Sequence, residues 1–210
     1  MRGTETMAWF DGVILAIDTE TTGFGPHARI LEVAVVHFYK GEVIREWSAL
    51  LHPNGIDWDD LKVKEALMVN KLTFEEIQGK PLFEEVRLEL MQEMGEEIWV
   101  AHNASFDVQM LLQELQALGE EDFPFKPALI LDTMALDYIL SPGVYGHKLA
   151  DTCQRWGVKQ DDAHRSVVDA RACGDVLAKM IASGKLPAEL GQMQALQKEA
   201  TEAWKCKRRR

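Results

Sequence analysis

Three things are scarce in this chain, and each scarcity removes a class of protein. No apolar run approaches the ~20 residues needed to span a bilayer, and the opening MRGTETMAWFDG lacks the charged-then-apolar pattern of a secretory leader. The expectation is a cytoplasmic protein with no membrane role. Cysteine is sparse: Cys153, Cys173 and Cys206 are odd in number, widely spaced and form no CxxC, so a disulfide scaffold and a thiolate metal site are both poor readings. Positive charge is also short, with 23 Lys and Arg against 34 Asp and Glu, a formal net charge of −11. Duplex-binding proteins draw much of their affinity from cationic contacts to phosphates, so a broad electrostatic footprint is excluded. Binding confined to a few nucleotides at a chain end is not. The deficit is uneven, because residues 205–210 (KCKRRR) carry five positive charges and leave the remainder at −16.

What is present suits one well-packed α/β domain, since 47% of 210 residues are hydrophobic. A buried first strand is predicted at residues 13–18. ILEVAVVHFY (30–39) and EVIREWSALL (42–51) flank a two-residue hairpin signal, Lys40-Gly41. A short helix is expected near 59–67, a second after Pro81 with Gly95 as its stop, and a buried strand at 98–101. A helix from about 104 to 118, a strand at 127–132 and helices near 147–156 and 165–183 follow. Residues 8–184 form the expected domain. Residues 185–210 read as a polar, helix-prone extension with a basic tail, whose stripe of Leu190, Met193, Leu196 and Ala200 suits either a partner helix or the domain itself. A loosely attached terminal helix is an equal reading.

Four acids stand out by context. Asp18 and Glu20 close the run VILAI-DTE, and because a strand reverses side-chain direction at each residue they share one face. Asp107 follows in AHNASFD, and Asp169 follows His164 in AHRSVVDA. Each has an ordinary reading alone, as a solvated strand edge, a first-turn acid favoured by a helix dipole, or a polar helix position. Adjacent carboxylates repel unless a cation lies between them, and hard divalent ions bind through such groups. The joint order and spacing favour a metal-dependent nuclease. His164 and Asp169 are five residues apart, roughly 500° of helical turn, and cannot both face one site from a regular helix. His164 is therefore expected on the loop or first turn before the helix that carries Asp169. An imidazole, with an ordinary pKa near ~6.5, is suited to take a proton from water.

Together, DTETTG, HNASFD and H-x-x-x-x-D resemble the three exonuclease motifs of the DnaQ-like family in its DEDDh branch, which includes the proofreading epsilon subunits of bacterial replicative polymerases. The resemblance runs over roughly residues 12–183. It implies a ribonuclease-H-like fold, a mixed five-stranded sheet flanked by helices, with two Mg²⁺ or Mn²⁺ ions on Asp18, Glu20, Asp107 and Asp169 and His164 as general base. It also implies substrate contacts by Glu65 and Asn70 in KEALMVNKLT, and supports backbone N–H groups of the Thr21-Thr22-Gly23 turn meeting a 3′ end. His102 and Asn103 would orient the site or cap the next helix. Phe106 is a stacking candidate, with core packing the commoner fate of such a residue. His147 reads as structural, and His27, His37 and His52 show no ligand spacing.

The function this implies is 3′→5′ exonuclease action on single-stranded DNA 3′ ends, releasing nucleoside 5′-monophosphates in proofreading or DNA processing. RNA trimming is the alternative within the enzyme class. A polymerase-tethering module that works through residues 187–210 is the alternative outside it.

Overall fold

The computed structural model describes residues 8–120, 123–160 and 164–208. Five strands form one mixed sheet in the order β3-β2-β1-β4-β5. β1 (Val13–Thr21), β2 (Ile30–Tyr39) and β3 (Glu42–Leu50) are antiparallel neighbours, while β4 (Ile98–Ala101) and β5 (Leu129–Asp132) continue the sheet in parallel on the other side of β1. This is the ribonuclease-H-like arrangement expected from the sequence. Lys40 and Gly41 both have positive φ (52° and 81°), the backbone a tight two-residue hairpin needs to match strand twist.

Side-chain parity along the strands divides the interior. Ile14 and Ala16 of β1, with Ala34, Val36 and Phe38 of β2, face one core. That core is filled by α5 (Thr133–Leu140), α6 (Leu149–Trp156), α7 (Ser166–Ala182) and α8 (Leu190–Arg208). Leu15 and Ile17, with Ile30, Val33 and Val35, face the opposite core under α3 (Phe83–Glu93) and α4 (Ala104–Ala117). A third cluster around Leu31 sits beneath α1 (Leu61–Val69) and α2 (Phe74–Ile77). α7 lies close on the sheet because residue 174 is glycine; a Cβ there would stand 2.1 Å from the Phe38 ring. Among the described residues, no helix is long and apolar enough to cross a membrane.

Two α-helices, α2 and α5, are additional to the sequence-based expectation. α5 was not anticipated; it starts directly at the end of β5, where the Asp132 carboxylate accepts from the N–H groups of Met134 and Ala135 and caps the new helix. Of the two readings open for the stripe in 185–210, the one seen is packing on the domain itself. Met193 and Ala200 of α8 are fully buried in the α7-side core, and Gln197 Oε1 accepts from the Asp132 N–H at 3.0 Å. The apolar stripe of α8 is spent on the domain itself, because α5 and β5 leave that face of the core open to be covered. The chain's start is tied to the same place: Trp9 donates from its indole to the Pro187 carbonyl at 2.7 Å.

Candidate active site

The acids meet at the end of β1 by coming around it from both faces. Asp18 and Glu20 share the parity of Ile14 and Ala16, and so point toward α7. Asp107 arrives from α4 on the opposite face and is held there by Thr19, whose N–H and hydroxyl both donate to Asp107 Oδ1, at 3.0 and 2.9 Å. Asp169 sits in the first turn of α7, and His164 precedes that helix with φ +72°, a left-handed conformation uncommon for a histidine. Glu20, His164 and Asp169 offer ligand atoms that all lie within 4.8 Å of one another.

The electrostatics are those of a site short of positive charge. Burial pushes the Asp18 carboxyl well above the usual carboxylate range, and Asp107, Glu20, Asp169 and Glu32 push it the same way. Burial, then the nearby Asp169 and Glu32, raises Glu20 to about 7. Asp107 is raised by burial to about 7, with the Thr19 hydrogen bonds opposing. Burial raises Asp169 also, against hydrogen bonds from Gln160 Nε2 (2.6 Å) and the His164 N–H (3.1 Å). Hard carboxylate oxygens plus one imidazole, crowded enough to resist ionisation, form a donor set that fits divalent cations bound through oxygen.

Several supporting residues carry no motif signature. Glu32 of β2 is the cross-strand partner of Glu20 and only 2% exposed. It accepts from the Arg165 guanidinium (3.2 and 3.0 Å) and from the Ser166 N–H (2.9 Å), pinning the start of α7. Phe24, 90% exposed, stands beside Phe106 with ring centroids 5.5 Å apart. Its flanking glycines, Gly23 and Gly25, were the available signal for a residue displayed on a turn.

The other expected site residues take the following places. Asn70 is buried and acts on Thr21, donating from Nδ2 to its carbonyl at 3.0 Å. Glu65 lies on the exposed face of α1 and joins none of the hydrogen bonds described around the acids. In the Thr21-Thr22-Gly23 turn two N–H groups are engaged within the chain: Thr22 N–H donates to the Arg29 carbonyl, and Gly23 N–H is turned to the Thr21 hydroxyl. The chain closes on itself there, and Phe24 is what it displays. His102 is held through both ring nitrogens. Its Nε2 donates to the His147 carbonyl at 2.8 Å and its Nδ1 faces the Thr133 hydroxyl at 2.9 Å, while burial depresses it to about 4 and keeps the ring neutral. Asn103 precedes α4 in a left-handed conformation (φ 72°) and makes no side-chain cap; its N–H donates to Asp132. Phe106 is half-buried against the α4-side core and keeps an edge toward Phe24.

Known proteins resemble this chain in sequence and fold. The RNase T family model, described as an exonuclease, matches residues 15–177. The DNA polymerase III epsilon subunit of Treponema pallidum is 31% identical over 170 residues, 80% of this chain and 75% of that protein. The PolC-type DNA polymerase III of Halalkalibacterium halodurans is 29% identical over 174 residues, 81% of this chain but only 11% of that much longer protein. Among solved structures, Exonuclease X in complex with 5′ overhanging duplex DNA superposes with a TM-score of 0.65 at 25% identity, covering 88% of this chain and 98% of that one. The nuclease domain of 3′hExo, a DEDDh family member bound to rAMP, gives a TM-score of 0.68 at 17% identity over 85% and 96% of the two chains, a likeness of fold.

Proposed function

Since this chain belongs to the RNase T family of exonucleases, we propose that it is a metal-dependent 3′→5′ exonuclease that releases nucleoside 5′-monophosphates from DNA 3′ ends, in proofreading or DNA processing. The observation that carries this reading is the convergence of Glu20, His164 and Asp169 within 4.8 Å at the end of β1, with Asp18 and Asp107 beside them. Asp18, Glu20, Asp107 and Asp169 would hold two divalent cations, Mg²⁺ or Mn²⁺, which when bound supply Lewis-acid polarisation of the phosphate and acidify the attacking water.

The protein's own groups do the rest. His164 is exposed at the mouth of the site and takes the proton from water, while its backbone N–H stays bonded to Asp169. Glu32 and Arg165 hold the loop that presents it. Phe24 and Phe106 offer a stacking surface for a terminal base, a contact indifferent to sequence. Thr21, gripped by Asn70, shapes the floor beneath that base. A single-stranded 3′ end is the substrate of this acidic site, and the cytoplasm is where the protein acts. Any polymerase partner binds through surface other than the buried stripe of α8.

Digestion of 5′-labelled single-stranded DNA, mismatched duplex and RNA oligonucleotides with Mg²⁺ or Mn²⁺ tests the reading. A one-nucleotide ladder that grows from the 3′ end is expected, with DNA preferred. Endonucleolytic products, or no cleavage with either ion, would overturn it, and faster shortening of RNA would move the function to RNA trimming.

A further inference from the structure

The loop between α5 and α6 displays a tyrosine to solvent on a scaffold that is anything but loose. Tyr145 is 91% exposed and Val144 40%, between Gly143 and Gly146, both at positive φ. Directly behind them the loop is braced by buried groups. His147, 3% exposed, meets the fully buried Asp137 through Nδ1 at 2.7 Å and the Val144 carbonyl through Nε2 at 3.2 Å. Arg155 pairs with the same Asp137 and donates to the Gly146 carbonyl at 2.8 Å. Such over-determination is not needed to keep an exposed aromatic in water; it does fix the backbone from which Tyr145 projects.

Two connections give this loop a direction. The His147 carbonyl accepts from His102, the residue before Asn103 and the helix that bears Phe106 and Asp107, so the loop is fixed to the flank of the acid cluster. On its other side, Trp204 of α8 packs against Tyr138 and His147, each with centroids 5.5 Å apart, and the Lys207 ammonium lies 4.9 Å from both the Tyr138 and Trp204 rings. Docking of α8 thereby carries Lys205 and Lys207 to the side of α5 against which this loop is braced, and the loop itself ends at exposed Lys148. In a chain of net charge −11, α8 thus sets cationic side chains against the ring cluster that braces a loop displaying a solvent-facing aromatic.

We propose that Tyr145, Lys148, Lys205 and Lys207 form a second contact surface for single-stranded nucleic acid, gripping the segment 5′ of the nucleotide held at the acid cluster. The chemistry is that of a stacking face for one base with ammonium groups to meet the strand's phosphates. It also resolves the charge problem: the acidic site needs little affinity of its own if the strand is retained a few nucleotides away. The proposal rests on the exonuclease reading for its direction, though not for the binding itself.

The full-length protein, its Tyr145→Ala variant and the double variant Lys205→Ala/Lys207→Ala would be compared in two assays. Fluorescence anisotropy with a labelled dodecathymidylate in EDTA at low salt reads binding without hydrolysis. Hydrolysis of the p-nitrophenyl ester of thymidine 5′-monophosphate with Mn²⁺ reads the catalytic site without the surface. Tyr145→Ala is expected to weaken binding of the dodecamer by roughly 5- to 100-fold, the loss of one stacked base. The double lysine variant is expected to flatten the salt slope by about 0.7 per lost phosphate contact. Ester hydrolysis should be unchanged in both. Unaltered affinity and salt slope in both variants, or no binding by the wild-type protein in EDTA, overturns the surface. Tyr145-dependent binding in a protein that hydrolyses neither substrate would retain the surface and remove the exonuclease reading.

Discussion

Glu32 on β2 and Arg165 before α7 are 133 residues apart in sequence, yet their side chains form a two-pronged ion pair at 3.2 and 3.0 Å, with Glu32 2% and Arg165 34% exposed. The asymmetry in burial decides what each substitution does. Arg165→Ala leaves a buried carboxylate beside Glu20 and Asp18 and is expected to cost about 3 kcal/mol, the usual penalty for stripping a buried charge of its partner. Glu32→Gln leaves a guanidinium that water can reach and keeps an acceptor for the Ser166 N–H, so about 1 kcal/mol is expected. Urea titration of both variants checks the order, and a costlier Glu32→Gln would contradict it. Both should lower kcat more than they raise KM, since the loop they anchor carries His164.

Replacing any one of Asp18, Glu20, Asp107 or Asp169 by Ala is expected to abolish cleavage without unfolding the chain. In EDTA the Asp18 and Glu20 variants should melt at or above the wild-type temperature, because each removes a buried carboxylate whose neighbours repel it. Mn²⁺ should raise the melting temperature of the wild type and do so less in every variant. Near-normal turnover in one of them would take that residue out of the site.

His164 sits at φ +72°, so an alanine there mixes lost chemistry with backbone strain. Asparagine tolerates the left-handed conformation. His164→Asn is therefore expected to fold as the wild type does and to lose turnover by roughly 10²–10⁴-fold. Near-normal turnover in the variant would place the base elsewhere.

The raised carboxyl of Glu20 sets a pH signature for the metal-free protein. Its folded value, about 7, lies above the ordinary carboxylate value, so the folded state binds the extra proton. The stabilisation is complete below about 4.3 and is lost as pH rises through about 7. In EDTA, the stability of wild type relative to Glu20→Gln should thus decline between pH 5 and 8. A constant difference across that range would mean that Glu20 is ionised throughout.

Removal of the residues after Pro187 is expected to damage the fold rather than merely trim it. Met193 and Ala200 are fully buried, and Trp204 packs on Tyr138 and His147. Exposing that face should cost at least ~4 kcal/mol, a fall of about 8–16 °C in Tm for a chain of this size. Calorimetry of the truncated chain decides the matter; an unchanged Tm would restore the extension to a detachable appendage.

The strand alternation of VILAIDTE already placed Asp18 and Glu20 on one face, and the five-residue gap to Asp169 already forced His164 off the helix, because both follow from local backbone geometry. The order of strands and helices was enough to give the sheet, and the motifs were enough to give the family. What could not be read locally was who holds the acids in place. Thr19 grips Asp107 across 88 residues, and Glu32 grips Arg165 across 133; neither lies in a pattern whose spacing announces it. His102 stood out by its position, but its two ring partners, Thr133 and His147, are brought to it only by the fold. The stripe on α8 was visible as a stripe, but only the open face left by β5 and α5 determined that the domain would cover it. Periodicity is a property of a segment and can be read from it, whereas the partner of a buried polar or apolar group is a property of the packed core, where distant segments compete to satisfy the same face.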